Sequence, residues 1–103
     1  GNMGNKRKII FSILKEIEKG EIEPKAEHYG ISNAEFGDIV DMMEYEKLIK
    51  GSGVARGGSG NEARVVFLKG AKITLKGLEY LEENNAWAKT YKGLKEVRDW
   101  LPL

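Results

Sequence analysis

The residues that could do chemistry are few and mostly isolated. Gly58-Ser59-Gly60-Asn61-Glu62-Ala63 matches, by letter, the G-x-G-x-x-A pattern of dinucleotide sites. That pattern works only when a strand precedes it and a helix N-terminus follows, so that backbone N–H groups meet the pyrophosphate. Here a strand-forming run follows, Val65-Val66-Phe67-Leu68, so these glycines are expected to form a hairpin tip. No lysine stands after them in the P-loop position. His28 is the single histidine and there are no cysteines. A catalytic or metal-binding histidine needs partners of those types, so His28 is expected to be a boundary residue. The acidic pairs Glu16/Glu18 and Glu82/Glu83 read as solvated faces. The chain is therefore expected to be no enzyme and to hold no cofactor and no metal.

Charge is the remaining candidate for function. The formal net charge is +1 with a pI near 8.1, too close to neutral to imply nucleic acid or membrane by itself. The distribution is more informative. Lys6, Arg7 and Lys8 lead the first helical pattern, Arg56 and Arg64 flank the glycine-rich stretch, and Lys89, Lys92 and Lys95 follow near the C-terminus. An arginine in a minor groove with lysines on phosphates would make a usable footprint on duplex DNA. Between Ser32 and Glu46 lie Glu35, Asp38, Asp41, Glu44 and Glu46, with no lysine or arginine. That segment suits a DNA groove poorly, because affinity for DNA comes largely from neutralised phosphates. Asp38, Asp41, Met42 and Tyr45 form instead a candidate face for a basic protein partner.

These residues must be positioned by a small set of elements. Ile9, Ile10, Ile13, Leu14 and Ile17 have helical spacing and predict a first helix over 5–19, with 1–4 as a flexible N-terminus. Gly1 precedes Met3, the first methionine, and is expected to be a cloning remnant. Pro24 opens a short helix over 25–29. Ser32 and Glu35 form a capping box that starts a helix over 33–46, with Phe36, Ile39, Val40 and Met43 facing inward. Strands are expected at 48–55 and 63–69, joined by a long, disordered tip within 55–62. Thr74 caps a helix over 75–84 whose Leu75, Leu78 and Leu81 face inward. Gly77 within it suggests that another backbone packs close. A last helix is expected over 86–100, stopped by Pro102. Trp87, Tyr91, Leu94 and Leu101 share one stripe of it, for the core or for a homodimer. Arg98 falls in that stripe, whereas Trp100 lies off it.

The order is that of an α+β winged helix. A helix-turn-helix is followed by a glycine-rich β-hairpin wing and an added C-terminal helix, all in one domain over 1–103. The segment Ile73-Thr74-Leu75-Lys76-Gly77-Leu78-Glu79-Tyr80-Leu81 resembles the helix start found after the wing in many bacterial winged-helix proteins. Glu82 to Lys92 and Lys95 to Trp100, with Ile10 to Glu18, resemble the YjcQ family of small bacterial and prophage proteins. That resemblance implies a winged helix with an added helix, and a link to phage or prophage genes. It implies no activity.

Two functions are expected. The first, ranked ahead by fold analogy, is a DNA-binding, regulator-like protein that uses Lys6, Arg7, Lys8, Arg56 and Arg64. The second is a protein-interaction module that uses the acidic face. The absence of cysteines fits a cytoplasmic location, and no apolar run has the ~18 residues of a membrane span.

Overall fold

The computed structural model describes residues 2–102, with side chains from residue 4 onward. The fold is α+β. Its elements are α1 (Asn2–Lys19), α2 (Ala26–Tyr29), α3 (Asn33–Tyr45), β1 (Ile49–Lys50), β2 (Gly53–Gly57), β3 (Glu62–Phe67), β4 (Lys72–Ile73), α4 (Leu75–Glu83) and α5 (Val97–Trp100). Of the segment expected to be flexible, residues 2–4 belong to α1, and Gly1 lies outside the described residues.

α1 is the axis. Residues 8–14 are all buried, so the helix is enclosed on nearly every side rather than along one stripe. Phe11, Ser12, Ile13 and Leu14 are fully buried. They meet α3 through Phe36, Ile39, Val40 and Met43 within one hydrophobic cluster. α3 starts where its cap predicts, with the Glu35 N–H donating to Ser32 Oγ at 3.1 Å. His28 is half-buried and caps α2, its Nδ1 accepting from the Lys25 N–H at 2.9 Å.

The expected first strand breaks in two. Gly51 takes φ +87, a conformation side chains resist, and turns the chain between β1 and β2. β1 pairs with β4 (Ile49↔Ile73), while β2 pairs with β3 to make the hairpin. The tip is a tight turn at Gly58–Asn61, where the Asn61 N–H donates to the Gly58 carbonyl at 3.1 Å. This corrects the disordered tip over 55–62. Pairing extends out to Gly57↔Glu62, so backbone hydrogen bonds order most of that segment. Ala55 pairs with Val65 and Arg56 with Ala63, so Arg64 is the extra residue of a β-bulge.

α4 is capped by Thr74, whose Oγ1 accepts from the Gly77 N–H at 3.0 Å and donates to the Lys47 carbonyl. Only Leu81 of its three leucines is buried; Leu75 is 78% exposed and Leu78 41%. The helix has a single contact face, and Gly77 and Leu81 occupy it.

The single last helix is not formed. A 3-10 turn covers Asn85–Lys89, a second covers Leu94–Glu96, and only Val97–Trp100 is α-helical. Gly93, at φ +106, breaks the run, because no right-handed helix passes through that conformation. The bend folds Trp87, Tyr91 and Trp100 onto Phe11, with ring centroids 5.7, 6.0 and 6.0 Å from it. Leu94 and Leu101 are buried beside them. The stripe expected for the core or for a homodimer packs on the core of its own chain, and Trp100 joins it rather than standing apart. Leu103 lies outside the described residues.

A chain of hydroxyls fixes this tail to α1. The Tyr91 hydroxyl donates to Glu16 Oε2 at 2.6 Å. Having only one proton, it must accept from Ser12 Oγ, 2.7 Å away. Ser12 must then accept from the Tyr29 hydroxyl at 2.9 Å. All three donors point toward the carboxylate, an arrangement in which each bond strengthens the next. Glu16 is therefore buried, not solvated; Lys19 approaches it from the surface at 3.5 Å.

Two expectations follow. A Cβ at position 77 would sit 2.3 Å from the Leu48 carbonyl oxygen and 2.6 Å from Ile73 Cγ1. Gly77→Ala should lower stability by ~1–3 kcal/mol in thermal melts, against the ~1 kcal/mol that helix propensity alone would add; a raised Tm would show the contact to be looser. Burial raises the Tyr29 pKa well above the ordinary value of 10.0. Above pH ~10 the unfolded chain releases that proton and the native state keeps it, so stability falls as pH rises. Denaturant titrations should show up to ~1.4 kcal/mol lost per pH unit from this group. Tyr29→Phe should reduce that slope, and an unchanged slope would exclude Tyr29 as its source.

Candidate functional site

The outward side of α3 carries the candidate acidic face, and the hairpin packs along its flank. Gly37 is buried against β2 and β3. A Cβ there would come 2.3 Å from Ala63 Cβ and 3.2 Å from Val54 Cγ1. The bulge at Arg64 allows this contact, because it turns both Ala63 and Val66 toward α3. Asn33 Nδ2 donates to the Arg64 carbonyl at 3.1 Å and fastens the same strand to the start of α3.

Arg56 completes the closure. Its Nη2 donates to Asp38 Oδ1 at 3.0 Å and also to Asp41 Oδ2, and its Nη1 donates to the Asn61 carbonyl. These bonds, the one to Asp41 foremost, raise the Arg56 pKa further. The pair expected to form an acidic docking face is thus engaged from within the chain. Met42 and Tyr45 remain open, 41% and 83% exposed.

The basic residues are dispersed. Lys8 is buried, its Nζ donating to the Trp100 carbonyl at 2.6 Å and lying 4.5 Å from that ring's centroid. Burial lowers its pKa from the usual lysine value. Arg7 lies over the Tyr80 ring at 5.9 Å, and the Tyr80 hydroxyl donates to the Arg7 carbonyl at 2.9 Å. Lys6 borders a different cavity, with Asn5, Glu35 and Leu101. Arg64 is exposed and folds over the tip at Gly58. Arg98 Nη2 donates to the Glu27 carbonyl at 2.6 Å, a partner that helical spacing could not supply. The structure brings Arg56 to Asp38 and Asp41. It does not gather Lys6, Arg7, Lys8, Arg56 and Arg64 on one surface.

A groove lies beyond the hairpin, between α1, α3 and α4. It encloses about 340 Å³. Ile10, Met43 and Leu48 form its floor, Met42 and Tyr80 its walls, and Arg7, Glu46, Lys76, Glu79 and Glu83 its rim.

The YjcQ protein family matches residues 11–100. The chain belongs to the YjcQ family. "Uncharacterized protein YjcQ" of Bacillus subtilis (strain 168) is 33% identical over 97 residues, spanning 94% of this chain and 98% of that one. The solution NMR structure of the YjcQ protein from Bacillus subtilis aligns over 78% of this chain and 96% of its own, at 28% identity and a TM-score of 0.52.

Within this YjcQ-family chain, sequence reasoning missed the groove. Its α4 wall is the row Lys76, Glu79, Tyr80 and Glu83, which reads as a solvated helix face. The available signal was Tyr80, an aromatic among charges at i−4, i−1 and i+3. No helix among the described residues is long and apolar enough to cross a membrane.

The clasp can be tested on the YjcQ-family chain itself. Arg56→Ala should leave the melting temperature nearly unchanged, since exposed pairs contribute little. It should speed amide exchange across β2 and β3 several-fold in hydrogen-exchange measurements. Unchanged exchange would assign the closure to the Gly37 packing and the Asn33–Arg64 bond.

Proposed function

We propose that this chain is a non-enzymatic binding module of winged-helix type, and that it recognises a protein rather than duplex DNA. The observation that carries the reading is the position of the hairpin on α3. An α-helix with its side chains is about 10–12 Å across, and a B-DNA major groove is about 12 Å wide. A recognition helix fills that groove with its outer side, so a hairpin packed on its flank and an arginine tied to the acids of that side both oppose entry. The Gly37 face of α3 carries β2 and β3, and its Asp38 and Asp41 are bonded to Arg56. Among the exposed residues of α3, Met42 and Tyr45 are apolar and aromatic in the manner of a protein-contact surface, beside the acidic Glu35 and Asp38.

Winged-helix type is supported by the order α1–α2–α3–hairpin. DNA binding through the hairpin alone would rest on Arg64, with Lys8 buried and Arg56 engaged. A fluorescent random-sequence duplex titrated in ~50 mM salt separates the two. The expected result is no saturable binding tighter than ~10⁻⁴ M, the weak end of non-specific DNA affinity. Micromolar binding with a steep salt slope, lost in Arg64→Ala, would overturn the protein reading.

A further inference from the structure

We infer that the groove between α1, α3 and α4 takes a cationic segment of a partner protein carrying an apolar anchor, a lysine- or arginine-rich amphipathic helix. This rests on the reading of the α3 surface as a protein-contact site. The groove has the parts such a partner needs. Its floor is core (Ile10, Met43, Leu48), so an inserted side chain would meet packed apolar atoms. One wall, Tyr80, is held in place by its hydrogen bond to the Arg7 carbonyl. The other, Met42, is flexible and adapts to different anchors. Tyr45 stands one turn from Met42 on the same helix face and extends the surface.

Charge decides the partner. Glu46, Glu79 and Glu83 face the groove, and among the described residues none of them is ion-paired. Arg7, over the Tyr80 ring, and Lys76 share the rim, so the three carboxylates outnumber the two cations there. The helix ends reinforce the acids. α3 and α4 both lack a basic residue in their last turns, and Glu46 and Glu83 sit at those ends, where the helix dipole is already negative. Acids there destabilise their own helices. Two such termini beside one exposed apolar groove make a negative field that Arg7 and Lys76 offset only in part. A cationic helix would compensate it, with leucine-sized residues at i, i+3, i+4 and i+7 entering the groove.

The probe is a synthetic helical peptide of about 18 residues built of lysine and leucine in that spacing. Two controls replace its lysines with glutamate or with glutamine. Binding is read by amide chemical-shift mapping and by titration of the whole chain. The lysine peptide should shift residues 42–48 and 76–83 and bind at least tenfold tighter than the glutamate peptide. Glu79→Lys with Glu83→Lys should abolish that preference while raising Tm by roughly 2–5 °C, since lysine at a helix C-terminus relieves the dipole. A residue needed only for folding would lower Tm instead. If the glutamine peptide shifts the groove as strongly as the lysine peptide, the cationic partner is wrong and the protein-contact surface stands. If no peptide shifts the groove, both readings fall. Shifts spread evenly over the acidic residues of the whole chain would also overturn the assignment.

Discussion

The side chain that position 37 lacks decides what α3 is able to meet. Glycine in the middle of a helix costs about 1 kcal/mol relative to alanine, and here that cost is offset by contact with Ala63, Val54 and Val66. Any Cβ at this position would hold β3 off the helix. The hairpin would then project, Arg56 would leave Asp38 and Asp41, and the outer side of α3 would open. Because the approach is close, the hairpin packs along the flank of α3 and brings Arg56 to Asp38 and Asp41, while Met42 and Tyr45 stay exposed.

The same economy governs the charges. A net charge of +1 hides groups already committed inside the fold. Lys8 bonds to Trp100, Arg56 to two aspartates and Arg98 to a backbone carbonyl. Glu23 behaves likewise, accepting from the Leu68 and Lys69 N–H groups. The Leu68 bond is the main reason its pKa lies below the usual carboxylate value. Among the acids left without an ion pair, Glu46, Glu79 and Glu83 lie together around the groove at the ends of α3 and α4.

Much of the fold was legible. α1, α2 and α3, the Ser32 and Thr74 caps and the close backbone at Gly77 follow from local rules of spacing and capping, which act within a few residues. The errors fall where distant segments decide. Helical spacing placed Leu75 and Leu78 inward, but too little chain reaches α4 to cover them. It drew one helix across Gly93, because propensity summed over a window does not register one φ of +106. It left Glu16 in solvent, because its partner Tyr91 comes 75 residues later. The site was the least legible part. Asp38, Asp41 and Arg56 were each noticed, on opposite sides of the argument, and only the folded hairpin shows that they answer one another.

The hydroxyl chain has a consequence for how the molecule is made. Ser12 and Glu16 lie in a helix that leaves a ribosome early, yet their partner Tyr91 and the rings of Trp87 and Trp100 arrive far later. Until then α1 has an acid facing what will become the interior and an uncovered Phe11. Contacts between such distant positions slow folding relative to that of locally wired helical proteins. The enclosure of α1 is therefore complete only when residues 87–101 close over it. The tail is the final course of the wall rather than an appendage.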